Sequence, residues 1–211
     1  LKSDSRVYDE NYSIIRFLHA VPRGKPVDIY FNNSLFFNRI LFTQFTPYIY
    51  VPEGTYEVTI FETGTRENPI LRESLEVQRD KMSTLAMTGY EDDLELLLIN
   101  EAKEESENSD LSKVRIVHLS PNLPKLNIYL NDKIVFPDVD FREVTDYVEV
   151  PAYDIYTLDI VLEKSGRLLR SNQIAVNVDR VYSLYLLGNF ANFQVFQSRD
   201  GTAFVNTVVR D

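Results

Sequence analysis

Arg16-Phe17-Leu18-His19-Ala20-Val21-Pro22 returns 99 residues later as Arg115-Ile116-Val117-His118-Leu119-Ser120-Pro121. The echo continues at the same offset. Ile29-Tyr30-Phe31-Asn32 matches Ile128-Tyr129-Leu130-Asn131, Tyr48 matches Tyr147, and Val51-Pro52 matches Val150-Pro151. The second copy then gains one residue, where Gly54-Thr55-Tyr56 faces Tyr153-Asp154-Ile155-Tyr156. The offset returns to 99 before Val77/Val176, Leu85/Leu184 and Gly89/Gly188. A register held this long, slipping only at a turn, means that one unit of fewer than about 100 residues must fold and be built twice. We therefore divide the chain into a polar tail (1–11), a first repeat (12–100), an acidic linker (101–111) and a second repeat (112–211). The linker, Glu101-Ala102-Lys103-Glu104-Glu105-Ser106-Glu107-Asn108-Ser109-Asp110-Leu111, has little to bury and carries like charges that repel, so it is expected to be exposed.

Within a repeat the pattern is that of strands. Thr55–Glu62 alternates Tyr56, Val58 and Ile60 on one face with Glu57, Thr59 and Phe61 on the other, a period of two with one core face. Pro22-Arg23-Gly24-Lys25-Pro26, Asn32-Asn33 and Pro52-Glu53-Gly54 punctuate the runs as turns. Thirteen tyrosines and thirteen phenylalanines favour strands over helices. About seven short strands per repeat, with turn signals every 8–12 residues, predict an all-β chain of two tandem antiparallel β-sandwiches, immunoglobulin-like or transthyretin-like. A small closed barrel is the alternative. Gly54 is expected at positive φ, with Tyr153-Asp154 making the same reversal using an extra residue.

Composition excludes several functions. The formal charge is −10 and no segment is basic, so a nucleic-acid partner is not expected and an anionic membrane surface would mostly repel the chain. Cysteine is absent, which removes disulfides, thiolate metal sites and cysteine nucleophiles. There is no apolar run long enough for a transmembrane segment. The sequence begins at Leu1 rather than Met, so an upstream segment is expected to have been removed.

The candidate chemical groups are few. His19 and His118, the two histidines, occupy equivalent positions. Each alternates in register with apolar residues, so each is expected to be a core imidazole satisfied by a backbone group of the following turn. Asp28 becomes Asn127 in the copy; a catalytic carboxylate would not exchange with an amide that takes up no proton, so this side chain is expected only to accept hydrogen bonds. Glu91-Asp92-Asp93-Leu94-Glu95 and Asp138-Val139-Asp140 lack the spacing of a calcium loop and are read as solvated acids. No nucleophile elbow or phosphate loop occurs. These features predict no enzyme, no metal and no cofactor, with His19, Asp28 and another acid as the candidates should a metal-dependent enzyme exist. Tyr48 and Tyr50 share a strand face and could belong to a sugar- or protein-binding patch. Position 50 is Glu149 in the second repeat, so such a patch would not be duplicated.

The repeated motifs resemble the DUF4397 family. Members carry a first strand of the form Val-Arg-Val-Val-His-x-Ser-Pro, then an acidic-aliphatic-Tyr strand, then Pro-Ala-Gly-Thr-Tyr. Here these are Ile15-Arg16-Phe17-Leu18-His19-Ala20-Val21-Pro22, Val27-Asp28-Ile29-Tyr30 and Val51-Pro52-Glu53-Gly54-Thr55-Tyr56. The second copy reads Val114-Arg115-Ile116-Val117-His118-Leu119-Ser120-Pro121, Leu126-Asn127-Ile128-Tyr129 and Val150-Pro151-Ala152-Tyr153-Asp154-Ile155-Tyr156. It departs from the pattern at Asn127, Tyr153 and the inserted residue. The resemblance implies β-rich bacterial domains, frequently tandem, in secreted or surface proteins, with no established activity. The expectation is a non-catalytic structural or protein-binding module of the cell envelope or surface, a cytoplasmic location being the alternative. Its partner would be a protein or, in a carbohydrate-binding reading that uses exposed tyrosines, a cell-wall polysaccharide.

Overall fold

The computed structural model describes residues 11–90, 93–102, 110–178, 180–202 and, for the backbone alone, 205–208. The expected tail up to residue 10, Glu91-Asp92 and residues 103–109 of the expected linker lie outside the described residues. The first repeat contributes eight strands: β1 (Tyr12–His19), β2 (Val27–Phe31), β3 (Ser34–Ile40), β4 (Ile49–Pro52), β5 (Gly54–Glu62), β6 (Leu71–Val77), β7 (Met82–Tyr90) and β8 (Asp93–Asn100). The second supplies β9 (Leu111–His118), β10 (Leu126–Leu130), β11 (Lys133–Val139), β12 (Val148–Pro151), β13 (Asp154–Leu162), β14 (Leu168–Val176), β15 (Val181–Leu187) and β16 (Gln194–Arg199). A ninth strand, β17 (Val205–Val208), follows.

Each repeat is two sheets, and none of the four closes into a barrel. The orders are β3-β2-β5-β6 and β4-β1-β7-β8 in the first repeat, β11-β10-β13-β14 and β12-β9-β15-β16-β17 in the second. The expectation of a purely antiparallel sandwich is corrected here. β1 pairs parallel with β7, Arg16 opposite Thr84, and β9 pairs parallel with β15, Arg115 opposite Ser183. Between β1 and β7 the chain builds all of the β3-β2-β5-β6 sheet, here called outer, and adds β4 antiparallel on one side of β1. It then re-enters the β4-β1-β7-β8 sheet, here called inner, on the other side of β1 and in the same direction. Turn signals in the sequence do not reveal that return.

Three apolar layers follow from side-chain alternation. Ile15, Phe17, Leu85 and Met87 face the outer sheet's Ile29, Phe31, Val58 and Ile60, forming the first core. Ile116, Leu184 and Leu186 meet Ile128, Leu158 and Ile160 in the second. The intervening residues of the same inner strands form a third layer between the repeats: Leu18, Ala86 and Ile99 against Val117, Tyr185 and Phe196. The inner strands are thus covered on both faces, and β7 and β15 are buried along almost their whole length.

The turns match their residues. Asn32-Asn33 and Asn131-Asp132 both sit at positive φ, the two-residue turn that fits a hairpin's twist. Gly54 has φ 150°, and Tyr153 takes φ 58° at the one-residue slip. At Gly89 (φ 118°) a Cβ would lie 2.0 Å from the Asp93 carbonyl oxygen, whereas at Gly54 it would meet only a Tyr56 ring atom at 3.8 Å. Gly54→Val should therefore cost only backbone strain, about 1–2 kcal/mol. Gly89→Ala adds a collision with backbone and should lower the urea midpoint further than Gly54→Val; an equal or smaller effect would contradict the close approach of Gly89 to the Asp93 carbonyl.

Candidate functional site

The polar residues that the two repeats share converge on the seam between the inner sheets. Arg16 on β1 is buried, and the parallel register sets its Nε 2.7 Å from Thr84 Oγ1. Its Nη2 lies 3.1 Å from Glu101 Oε1, both side chains being essentially without solvent contact. Glu101 also accepts from the Tyr48 hydroxyl (2.5 Å), from Thr84 Oγ1 (2.5 Å) and from the Gly201 amide of the other repeat (2.9 Å). The Arg16 guanidinium lies over the Phe45 and Tyr48 rings at 4.8 and 4.9 Å and donates to Ser198 Oγ across the seam at 2.7 Å.

The second repeat builds the same constellation at the same offset. Arg115 donates to Ser183 Oγ (2.8 Å), pairs with Asp200 (3.5 Å) and lies over the Tyr147 ring at 4.4 Å. The Tyr147 hydroxyl donates to Asp200 Oδ2. Sequence reasoning missed both acids. Glu101 was assigned to an exposed linker because its neighbours are charged; the available signal was that Glu101 and Asp200 stand 99 residues apart, like Arg16 and Arg115.

The histidines stand on the same inner strands but, by alternation with Ile15 and Phe17 or Val114 and Ile116, on the face opposite the seam. His19 is fully buried; its Nδ1 accepts from the Val21 amide at 3.3 Å and its Nε2 lies 3.0 Å from the Lys25 carbonyl, an arrangement that puts the proton on Nε2. Gly24 makes this possible, since a Cβ there would be 2.6 Å from the His19 ring. Leu123 occupies the equivalent position in the second repeat, and the Nε2 of His118 has no hydrogen-bond partner among the described residues. Burial pushes His118 down to about 4 and lowers His19 as well, so both imidazoles are neutral at pH 7.

Asp28 is not joined to His19 by a hydrogen bond. It accepts from the Arg39 amide (2.7 Å), Thr63 Oγ1 (2.8 Å) and the Gly64 amide (3.1 Å). Burial raises its pKa, but these donors outweigh that and hold it below the usual carboxylate value. Asn127 accepts from the Asp138 amide at 2.9 Å, which explains why an amide serves there. Asp93 and Glu95 pair with Arg142 across the seam at 2.9 and 2.7 Å, and Asp138 pairs with Lys125 at 3.1 Å. No group of three or more His, Cys, Asp or Glu among the described residues is placed to hold a metal. Nor is any helix there long and apolar enough to cross a membrane.

The tyrosines divide. Tyr48 is half-buried against Arg16, while Tyr50 is 61% exposed on the same face of β4. Tyr12, 37% exposed, is the diagonal neighbour of Tyr50, since Tyr12 opposes Pro52 and Ile14 opposes Tyr50. Such diagonal positions lie roughly 7–8 Å apart on one sheet face.

Two stability predictions follow. Arg16→Met strands the Glu101 charge in the seam and should cost about 3–5 kcal/mol in urea denaturation. Breaking the exposed Lys25–Glu62 pair (2.8 Å) should cost far less. The second concerns pH. Burial first, then the neighbouring Glu101 charge, push Asp200 up to about 6 from the usual 3.8, so the folded state binds its proton more tightly and stability is gained as pH falls through that window. His118 has the opposite sign: its lowered pKa means that stability present above about pH 6.5 is lost as pH falls toward 4, and His19 adds to that loss. Asp200→Asn should therefore steepen the fall in Tm between pH 6.5 and 4, and His118→Asn should flatten it. Parallel profiles in all three proteins would refute the assignment.

The chain matches the protein family described as a domain of unknown function (DUF4397) over residues 13–129 and 112–207. No curated protein matches it. Among solved structures it is similar to a family CBM26 module from Eubacterium rectale Amy13K in complex with maltoheptaose. That likeness has 10% identity over 95% of this chain and 98% of that chain, with a TM-score of 0.26. A structure titled for alpha-glucan binding by a streptococcal virulence factor is similar at 12% identity over 94% and 100%, with a TM-score of 0.28. Superpositions this loose bear on neither fold nor ligand. The family match spans both repeats and carries the motifs that build the seam, so the chain belongs to the DUF4397 family.

Proposed function

We propose that this chain is a non-catalytic binding module of the bacterial envelope or surface, a rigid tandem unit that engages a partner protein through its outer edges and faces. One observation supports this above the rest. The buried groups able to do acid, base or electrophilic chemistry, Arg16, Glu101, Arg115 and Asp200, are committed to one another in the seam. His19 is held by backbone groups and His118 is sealed from solvent. What the two repeats share is spent on architecture; what they expose differs, as at Tyr50 and Glu149.

A second reading has its own support. Tyr12 and Tyr50 form an exposed pair on one sheet face, the minimum platform for stacking a sugar ring. The two readings part in one experiment, with fluorescently labelled protein applied to cells of the producing bacterium. Under the protein-binding reading, protease treatment of the cells removes binding and periodate oxidation of their glycans leaves it. Retention after protease with loss after periodate, together with an about tenfold weakening in Tyr50→Ala, would establish the carbohydrate reading instead. Absence of binding to whole cells and to their isolated envelopes would overturn both.

A further inference from the structure

The two inner sheets differ by one strand. β16 is flanked by β17, with Val195 opposite Val208, Gln197 opposite Asn206 and Ser198 opposite Val205. Among the described residues its counterpart β8 is the edge of its sheet. The burial of the two follows: β16 is almost wholly covered, whereas Leu94, Leu96, Leu97 and Leu98 of β8, though packed against the cores, are only partly buried. A leucine-rich strand at an open sheet edge is unusual, because edges are normally blunted with charge, proline or a covering element.

The ladder fixes which backbone groups are free. The Ala20 amide takes the Met87 carbonyl, so Met87 turns toward β1. Leu96, its opposite number on β8, therefore turns its amide and carbonyl away from the ladder, and Leu94 and Leu98 do the same by alternation. At the positions equivalent to Leu96 and Leu98, Val195 and Gln197 stand opposite Val208 and Asn206 of β17. Among the described residues, the one hydrogen bond to this outer edge comes from Glu73 on β6, whose Oε1 accepts from the Leu96 amide at 3.2 Å. In the second repeat the residue equivalent to Glu73 is Asn172, whose Oδ1 accepts from Arg170 Nε at 3.0 Å. There the polar side chain is held by its own strand and the edge is given to β17.

We infer that β8 is a strand-addition site for a partner protein, taking an extended, uncharged, valine-rich segment that runs antiparallel along Leu94–Ile99 as β17 runs along β16, with Glu73 as a displaceable cap. This rests on the binding-module reading and names the edge it uses. Among the described residues, the second repeat displays the filled form of the site that the first leaves open. Main-chain hydrogen bonds would supply affinity, and the incoming side chains would cover the partly buried flanks of Leu94, Leu96, Leu97 and Leu98. A second copy of this chain is disfavoured as occupant, since each carries a formal charge of −10.

The probe is a synthetic peptide with the sequence of residues 202–211, Thr-Ala-Phe-Val-Asn-Thr-Val-Val-Arg-Asp, added to the intact chain and followed by anisotropy and amide hydrogen exchange. We expect saturable binding, at least tenfold slower exchange at the Leu94 and Leu98 amides, and several-fold tighter binding to Glu73→Ala, where the cap is gone. Leu98→Pro, which removes an outward amide, should weaken binding at least tenfold. The Glu73→Ala gain keeps the proposal testable should the proline variant fail to fold. No binding at millimolar peptide, or protection confined to β16, would overturn it. So would protection of Leu98 that rises with protein concentration without peptide, which would assign the edge to self-association. Cell binding that persists while the peptide test fails would leave the binding-module reading standing and remove β8 from it.

Discussion

The seam between the inner sheets depends on two buried arginine–carboxylate pairs. A guanidinium taken out of water is costly unless its charge is matched and its donors are used. Arg16 meets both conditions only when Glu101 folds back from the end of β8 and when Ser198 arrives from the other repeat. Glu101 in turn uses the Gly201 amide across the seam. The apolar layer of Leu18, Ile99, Val117 and Tyr185 supplies the area, and the ion pairs fix the one alignment in which no charge is stranded. Apolar contact alone would tolerate sliding of one sheet over another; paired charges do not.

The duplication has a structural rather than a chemical meaning. Arginine, histidine, tyrosine, the Thr84/Ser183 hydroxyl and the Glu101/Asp200 acid recur because each sheet pair needs the same internal supports. Where the copies diverge, the consequences are local. Leu123 stands where the first repeat has Gly24, and the Nε2 of His118 has no hydrogen-bond partner among the described residues; Asn127 in place of Asp28 keeps the accepted backbone hydrogen bond. The extra residue near Tyr153 is absorbed by a positive φ at an exposed position.

Much of the fold was legible in the sequence because alternation is local. Tyr56, Val58 and Ile60 announce one face of β5, and paired Asn residues announce the β2–β3 turn. The parallel pairing of β1 with β7 was not legible, since it joins segments nearly 70 residues apart through an excursion into another sheet. Glu101 was misread for a different reason. Composition averages over a window, and one structural acid at the head of Lys103-Glu104-Glu105 is diluted by solvated neighbours, although its partner Asp200 was in plain view at the repeat offset. The acids at Asp93 and Glu95 were read as solvated, and Asp93 is exposed while Glu95 is half-buried, but their pairing with Arg142 was hidden because it crosses between repeats.

Position 86 is alanine in the first repeat, and position 185, its counterpart, is tyrosine. Both face the seam, where the Tyr185 ring packs edge-on against Phe45 at 5.2 Å. Two tyrosines would crowd this layer and two alanines would leave it hollow. The halves are therefore lock and key, not twins: selection on the joined chain has broken the equivalence that duplication created. Exchanging either half for a copy of the other would therefore change the volume that this layer has to pack.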